Sequence, residues 1–224
     1  MEKELLEIRQ KQNQLFSRMA QIMANFSAPV RIRLIHFLSQ APLTVEVLSQ
    51  KSGESIANTS MHLRKMLNEK ILQVETLGQK RLYSLHPSLF HFWEECQNFV
   101  QQIDPGIRLT DETSEDLNWM GETEETLKML QKGDALLLDL RPLDEIEEPV
   151  IEDEKYYQHL DINDLKKEIK NLPKRKKILV LCRGRMCGLS IFATRYLREN
   201  NLKAFRLQES WFSLREKLNK RDSA

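Results

Sequence analysis

Short, almost wholly apolar segments that alternate with helical patterns are the strongest constraint on the fold of the second half of this chain. ALLLDL and KILVLC are too short for typical helices and carry almost no polar side chains. Strands of this kind are covered on both faces, as in parallel sheets. Helical patterns surround these two strands and a third, AFRLQ; they are ETLKMLQKG, NDLKKEIKNLP, GLSIFATRYLREN and SWFSLREKL. The sequence therefore predicts an α/β domain with a parallel sheet and helices on both faces.

The first hundred residues have a different order, which is four helices, a hairpin and a fifth helix. Thr44 is a candidate N-cap for TVEVLSQKS, which Gly53 ends, and a further helix starts at Ser55. The strands ILQVET and KRLYSL follow, with Gly78 in the turn between them. This is the form of a helix-turn-helix followed by a wing. We therefore predict an α+β winged helix-turn-helix domain over residues 1–102.

The charge distribution separates the two parts. Residues 1–100 hold 12 Lys and Arg against 9 Asp and Glu, residues 101–150 hold 4 against 14, and residues 151–224 hold 18 against 10. An acidic, polar segment between two basic parts is typical of a linker. We predict a linker over residues 103–120 and a second domain over residues 121–224.

The location of the protein follows from what the sequence lacks. It has no run of about 18 apolar residues, so we expect no membrane span. The charged start MEKELLEIRQKQ is unlike a secretory signal, which has an apolar core. Three cysteines, Cys96, Cys182 and Cys187, are too few for a disulfide framework and favour thiol chemistry or burial. We expect a cytoplasmic protein.

The segment LCRGRMCG places two cysteines where a strand turns into a helix. In open α/β sheets, reactive groups lie at the carboxyl ends of strands. The amides of such a loop and the helix terminus carry partial positive charge, and Arg183 and Arg185 add to it. Because helix termini and cations lower a thiol pKa, we expect Cys182 to ionise easily. Gly184 lets the loop curl.

This segment resembles the active-site loop of rhodanese-like domains, in its Cys-Arg-Gly-x-x-Cys form. ALLLDLRP resembles their first core strand with its Asp-x-Arg motif, here Asp139 and Arg141. The resemblance implies a catalytic loop in which Cys182 takes up sulfane sulfur as a persulfide and backbone amides cradle the outer sulfur. That loop comprises Cys182, Arg183, Gly184, Arg185, Met186 and Cys187. Cys187 resolves the persulfide to a disulfide, or it only fills the first turn of the helix.

The first part resembles the ArsR/SmtB winged-helix repressors, through ANTSMHLRKML and the Gly-Gln-Lys-Arg wing. The order of the two domains resembles a fused type of bacterial regulator. The resemblance implies a homodimer, formed through the first and last helices of the winged-helix domain, on a palindromic double-stranded DNA operator. On the helix that starts at Ser55, we expect Ile56, Leu63, Met66 and Leu67 to be buried. The candidate DNA contacts are Ser55, Asn58, Thr59, His62, Lys65, Lys80 and Arg81.

Metal binding is the weaker interpretation of the donors near the end of the first domain. Those donors are His86, His91, Glu94, Glu95 and Cys96, and the short helix TVEVLSQ lacks the cysteines of thiolate-type metal sensors. We predict no metal and no cofactor. The favoured function is a regulator that senses or transfers sulfane sulfur from a small sulfur-containing anion. The alternatives are a sulfurtransferase whose winged helix mainly dimerises, a regulator whose second domain only binds an anion or a protein, and a metal-responsive repressor.

Overall fold

The computed structural model describes residues 2–104, 123–146, 149–151, 153, 155–207 and 209–222. The chain divides into two compact units, Met1–Phe90 and His91–Ala224. The predicted linker over residues 103–120 lies almost entirely outside the described residues. The predicted domain boundaries therefore stay a prediction, and each unit is described by itself.

The first unit has the element order of a winged helix-turn-helix domain. Its elements are α1 Glu2–Met23, a 3-10 turn Ala24–Ser27, α2 Pro29–Leu38, α3 Val45–Ser52, α4 Ile56–Asn68, β1 Leu72–Leu77 and β2 Lys80–Leu85. The next helix, α5 Leu89–Ile103, starts at the end of this unit and from His91 onward belongs to the second. The predicted winged helix-turn-helix fold is confirmed.

Local chemistry fixes the ends of these elements as predicted. The Thr44 hydroxyl accepts a hydrogen bond from the Val47 N–H at 3.4 Å, and the Ser55 hydroxyl accepts one from the Asn58 N–H at 3.1 Å. Gly53 ends α3 in the left-handed region, with φ of 72°. In the antiparallel hairpin, Leu77 lies opposite Lys80, so Gly78 and Gln79 alone form the turn. Gly78 has φ of 62°, as two-residue hairpin turns demand.

The core of the first unit lies between α2, α3 and α4. Its most deeply buried side chains are Leu34, Ile35, Leu38, Leu48, Leu63 and Met66. Ile56 was expected on this buried face, but it is 53% exposed. It is the first residue of α4, and the buried residues of that helix begin one turn later, at Thr59.

The second unit is an α/β domain built on four parallel strands. Its elements after α5 are α6 Thr123–Lys132, β3 Ala135–Asp139, β4 Tyr157–His159, the single turn α7 Leu165–Glu168, β5 Lys177–Leu181, α8 Gly188–Glu199, β6 Ala204–Arg206 and α9 Trp211–Asp222. The strand order is β4-β3-β5-β6, and each pairing is parallel. The predicted parallel sheet is confirmed.

Two details of this unit differ from the prediction. The edge strand β4 was not predicted, because its three residues lie in a polar stretch without a strand pattern. The helix predicted for NDLKKEIKNLP is a single α-helical turn between two 3-10 turns, Ile162–Asp164 and Ile169–Asn171.

Both faces of the sheet are buried. Alternate residues of the central strands point to opposite sides, and helices cover the side chains on each side. Leu138 and Val180 pack on one side, with Ala193 and Leu197 of α8. The other side contains Leu137, Leu179 and Leu181 of the strands, Leu127 and Leu130 of α6, and Leu214 of α9. The two layers of helices hold β5 rigidly, so its carboxyl end is a fixed platform for the residues that follow.

We expect Leu138→Ala to lower the free energy of unfolding of the second unit by about 2–5 kcal/mol, since the truncation leaves a cavity in a full core. The matched control is Leu143→Ala, because Leu143 is 71% exposed; we expect a change within about 0.5 kcal/mol. Denaturant unfolding measures both. Equal effects of the two substitutions would contradict the burial of Leu138 in the core on its side of the sheet.

Candidate functional site

The candidate site is the loop of residues 182–187, at the carboxyl end of the central strand β5. The strand ends at Leu181, and α8 begins at Gly188. The loop closes on itself, since the Cys187 N–H donates to the Gly184 carbonyl at 3.2 Å. Gly184 has φ of 87°, a conformation that a side chain would strain. The predicted position of the cysteines at the end of a parallel strand is confirmed.

The loop brings its two cysteines into direct contact. Their Sγ atoms lie 2.8 Å apart, and both residues are free thiols. Cys182 is 2% exposed and Cys187 is 3% exposed. A dithiol of this kind can share a proton, hold a persulfide on one sulfur beside the other, or close to a disulfide.

The contact between the two sulfurs changes their pKa values in opposite directions. The hydrogen bond between the two sulfurs lowers the pKa of Cys187 to about 5, and the Arg183 and Ser190 amides act in the same direction. The same contact, together with burial, raises the pKa of Cys182. The prediction that Cys182 ionises easily is therefore wrong for the resting pair. The lowered pKa makes Cys187 the more acidic thiol of the pair. This difference was not predicted from the sequence, because a second sulfur was not included as a partner.

Arg183 is held by a carboxylate that the sequence did not single out. Its Nε and Nη2 donate to the two carboxylate oxygens of Glu145 at 2.5 and 2.7 Å, and Glu145 is 0% exposed. This is a bidentate, charge-assisted pair. The guanidinium of Arg183 is therefore largely shielded from solvent and paired with a carboxylate. Glu145 follows β3 in an acidic stretch, where nothing in the sequence marks it among its neighbours.

The Asp-x-Arg motif forms a second buried ion pair beneath the loop. Arg141 donates through Nε and Nη2 to Asp139, the latter bond at 2.7 Å, and its Nη1 reaches the Glu145 carbonyl at 3.5 Å. Tyr157 of the edge strand donates its hydroxyl to Asp139 at 3.0 Å. Burial and the Asp139 charge raise the pKa of Tyr157. This pair anchors the segment that carries Glu145.

Arg206, at the end of β6, is a site residue that the sequence analysis missed. It is 7% exposed. Its Nε donates to the Ser190 hydroxyl at 2.8 Å, and its Nη2 donates to the Gly184 carbonyl at 3.2 Å and to the Arg185 carbonyl. The feature of the sequence that could have identified Arg206 is its positive charge within the short strand AFRLQ.

The remaining loop residues face outward, and one of them contacts α5. Met186 is exposed, whereas the Arg185 Nη1 donates to Gln101 Oε1 at 3.0 Å. Two further contacts join α5 to α9 and the residues before it. Glu94 Oε1 accepts from the Ser210 N–H at 3.0 Å, and His91 Nε2 lies 2.9 Å from Glu216. Helix α5 is thus attached to the domain that holds the cysteines.

The donors considered for a metal do not form a set. His91 pairs with Glu216, and His86 Nδ1 accepts from the Ser88 N–H at 3.3 Å. Cys96 is half-buried, and burial raises its pKa. In the parts of the chain that the structure describes, no group of three or more His, Cys, Asp or Glu is placed to hold a metal ion.

The candidate DNA surface consists of the exposed side of α4 and the wing. Ser55, Lys65, Lys80 and Arg81 are exposed. Arg64, which the sequence analysis did not select, is exposed on the same helix. The hairpin tip and the second helix of the motif therefore both present cations to solvent.

Three predicted contacts on α4 are less accessible. Thr59 is 0% exposed, so it does not belong to a surface that could meet DNA. Its place among the candidates is corrected, because it faces the core with Leu63. Asn58 is half-buried, and its amide donates to Glu54 Oε2 at 2.8 Å. Burial and the charge of Arg31 lower the pKa of the half-buried His62, so we expect this side chain to be neutral at pH 7.

The fold and the site define the class of the second unit. Residues 122–217 match the model of the rhodanese-like domain family, so this part of the chain is a rhodanese-like domain. The comparison with curated protein sequences gave no match. Among the helices that the structure describes, none is both long and apolar enough to cross a membrane.

Solved structures of winged-helix proteins are similar to the N-terminal part. One is the homodimeric winged helix-turn-helix DNA-binding domain of a possible ArsR-family regulator from Mycobacterium bovis, at 12% identity, a TM-score of 0.41, and 46% and 94% coverage of this chain and that chain. A second is the transcriptional repressor BigR from Xylella fastidiosa, at 20% identity, a TM-score of 0.35, and 42% and 94% coverage. A third is a predicted DNA-binding transcriptional regulator from E. coli, at 24% identity, a TM-score of 0.36, and 42% and 98% coverage.

The acidity of the cysteine pair can be measured by titrating the ultraviolet absorbance of thiolates. Because the pKa of Cys187 is lowered to about 5, we expect one thiolate per chain at pH 7. Cys187→Ser should abolish it, and Cys182→Ala should raise its pKa because the hydrogen-bond partner is removed. Cys96→Ser is the control and should change nothing below pH 8. A wild type without thiolate at pH 7 would contradict the assignment.

Proposed function

We propose that this protein is a cytoplasmic, homodimeric transcriptional regulator that binds a double-stranded DNA operator and senses sulfane sulfur through its rhodanese-like domain. The observation that carries the proposal is the 2.8 Å contact between two buried sulfurs, Cys182 and Cys187, in the strand-end loop of that domain. A single nucleophile would suffice for sulfur transfer. A second sulfur in contact with it allows the pair to end as a disulfide, which is a stable change of the protein.

In the first step, Cys182 attacks the outer sulfur of a hydropersulfide or polysulfide donor. The S–S bond of the donor breaks, and its remaining thiolate leaves and takes up the proton of Cys182, relayed through Cys187. In the second step, the Cys187 thiolate attacks the Sγ of Cys182. The Cys182–Cys187 disulfide forms, and hydrosulfide leaves. Two thiols are oxidised, and the sulfane sulfur of the donor is reduced.

Burial restricts which donors can reach the pair. Both cysteines are nearly inaccessible, so a small inorganic donor fits the loop better than a bulky one. Glu145 already neutralises Arg183, and Arg185 is bonded to Gln101. We therefore propose a small sulfur-containing anion as the signal, recognised at the loop amides more than by a free guanidinium.

The DNA-binding part of the proposal is supported by the exposed cations of the first unit. Lys65 and Arg64 lie on α4, the helix that enters the major groove in helix-turn-helix proteins. Lys80 and Arg81 lie at the tip of the hairpin, where they can contact phosphates. Phosphate contacts of this kind position a protein on DNA, and side chains on α4 would read the bases.

A homodimer is supported by uncovered apolar side chains on α1 of the first unit and, separately, on the part of α5 that belongs to the second. These side chains are Leu5, Leu6, Ile8, Leu15, Phe16, Met19, Met23, Phe99, Val100 and Ile103. Apolar patches of this kind mark interaction sites. A second copy of the chain is the proposed occupant, since an operator with two half-sites is read by a protein with matching twofold symmetry.

The contact between Arg185 and Gln101 supplies a path from the sulfur site to α5. Forming a Cys182–Cys187 disulfide rearranges the loop that carries Arg185, and Arg185 is bonded to α5. We propose that α5 transmits this change to the dimer. A coupling of about 1–3 kcal/mol, which is typical of allosteric proteins, would change DNA affinity by roughly 5- to 150-fold.

Intact mass spectrometry after incubation with polysulfide tests the sulfur chemistry. We expect the wild type to lose two hydrogens as the disulfide forms, and Cys187→Ser to gain and retain the mass of one sulfur atom. Cys182→Ser should do neither, and Cys96→Ser should behave as the wild type. An adduct retained in Cys182→Ser but absent in Cys187→Ser would assign the first attack to Cys187. No modification of the wild type would refute the sensing mechanism.

The salt dependence of binding to a DNA duplex tests the proposed surface. We expect the double substitution Lys80→Ala and Arg81→Ala to weaken binding and to lower the salt slope by about 2, or about 1 per phosphate contact. Lys167→Ala, an exposed lysine of the second unit, is the control and should leave the slope unchanged. An unchanged slope in the double variant would exclude the wing from the DNA interface.

A further inference from the structure

Three buried or largely buried arginines surround the cysteine loop, and two of them have a carboxylate partner. Arg141 pairs with Asp139, and Arg183 pairs with Glu145. Arg206 is different. Among the described residues, its hydrogen-bond partners are the Ser190 hydroxyl and the carbonyls of Gly184 and Arg185, and no carboxylate pairs with it.

A buried guanidinium without a negative partner is costly, because it loses its hydration without an ionic compensation. Carbonyl and hydroxyl oxygens satisfy its N–H groups but do not cancel its charge. The nearby group that can supply a negative charge is the cysteine pair, in which the pKa of Cys187 is lowered. Burial lowers the pKa of Arg206, whereas the charges at Cys187 and Cys182 act in the opposite direction.

The hydrogen bonds of Arg206 also hold the backbone on both sides of Cys187. Arg206 binds the Gly184 carbonyl, which accepts from the Cys187 N–H at 3.2 Å. It also binds the Ser190 hydroxyl, which in turn donates to the Cys187 carbonyl at 2.9 Å. The position of Cys187 in the loop therefore depends on Arg206 through two separate contacts.

We propose that the thiolate of the cysteine pair, and then its persulfide, is the counter-ion of Arg206, which positions the loop and stabilises the negative charge held there. The persulfide part of this proposal rests on the proposed function; the thiolate part does not. Arg206 is a positioning residue, since it acts on the reacting sulfurs through the loop and through its charge.

Among the described residues, the other arginines near the sulfurs have partners of their own. Arg183 pairs with Glu145 and Arg141 pairs with Asp139, although the charge of Arg183 also lowers the pKa of both cysteines. Arg185 directs its guanidinium to Gln101 of α5. Removing the charge of Arg206, which has no carboxylate partner among the described residues, is therefore expected to raise the thiolate pKa of the pair.

The test compares Arg206→Met, which removes the charge, with Arg206→Lys, which keeps it. The readouts are the thiolate titration and the pH profile of the rate of modification by polysulfide. Removal of a cation close to a thiolate should raise the thiolate pKa by about 1–3 units. We expect a correspondingly slower reaction of Arg206→Met at pH 6–7 that recovers at higher pH. Arg206→Lys should keep a thiolate pKa close to that of the wild type.

The matched control is Arg198→Met. Arg198 also binds the backbone of β6, through the Ala204 carbonyl at 2.7 Å, and lies over the Phe205 ring. Losing it should reduce stability without changing the thiolate pKa. A folded Arg206→Met with the wild-type titration, or a shift of equal size in Arg198→Met, would overturn the proposal.

A measurement on the wild type covers the case in which Arg206→Met does not fold. The Nε–H resonance of Arg206 in labelled protein should shift with the same midpoint as the thiolate titration, and an Nε–H shift that ignores that titration would overturn the proposal. These readouts do not require sulfur uptake. If the wild type titrates as expected but takes up no sulfur, the proposed function fails and the role of Arg206 stands.

Discussion

The need to compensate buried charge at the carboxyl end of β5 is the constraint on which the rest of the site depends. An arginine or a thiolate removed from water is stable only beside an opposite charge with satisfied hydrogen bonds. The domain meets this need with the pairs Asp139–Arg141 and Glu145–Arg183, both almost completely shielded from solvent. Arg206 and the cysteine thiolate complete the pattern. The loop is thus held by electrostatics that would be weak at the surface and are strong here.

The parallel sheet brings these charged residues and the cysteines to the same edge. Pairing β3 beside β5 places the residues after both strands at the same edge, so the segment from Asp139 to Glu145 lies next to the cysteine loop. Strand β6 on the other side delivers Arg206 to the same edge. Three crossover connections therefore bring together side chains that are distant in sequence. The helices on both faces fix the strands and leave little freedom at their ends.

Helix α5 contacts the cysteine loop and also carries exposed apolar side chains. It begins where the winged-helix unit ends, yet most of its length belongs to the second unit. Its polar contacts reach the cysteine loop through Gln101 and α9 through His91. In the proposed mechanism, a sulfur-dependent change in the loop biases a helix that also presents apolar side chains for association.

The sequence by itself determined both fold classes, the place of the cysteines and the order of the elements apart from the edge strand β4. Apolar alternation, N-caps such as Thr44 and turn glycines such as Gly78 act over a few residues, so local patterns suffice to read them. The partners of the site were decided only by the tertiary structure. Glu145 meets Arg183 across 38 positions, and Arg206 meets the Arg185 carbonyl across 21. The location of the thiolate and the burial of Thr59 belong to the same group. Each depends on which side chains become neighbours after the strands have paired. No local pattern in the sequence shows which distant residues will meet.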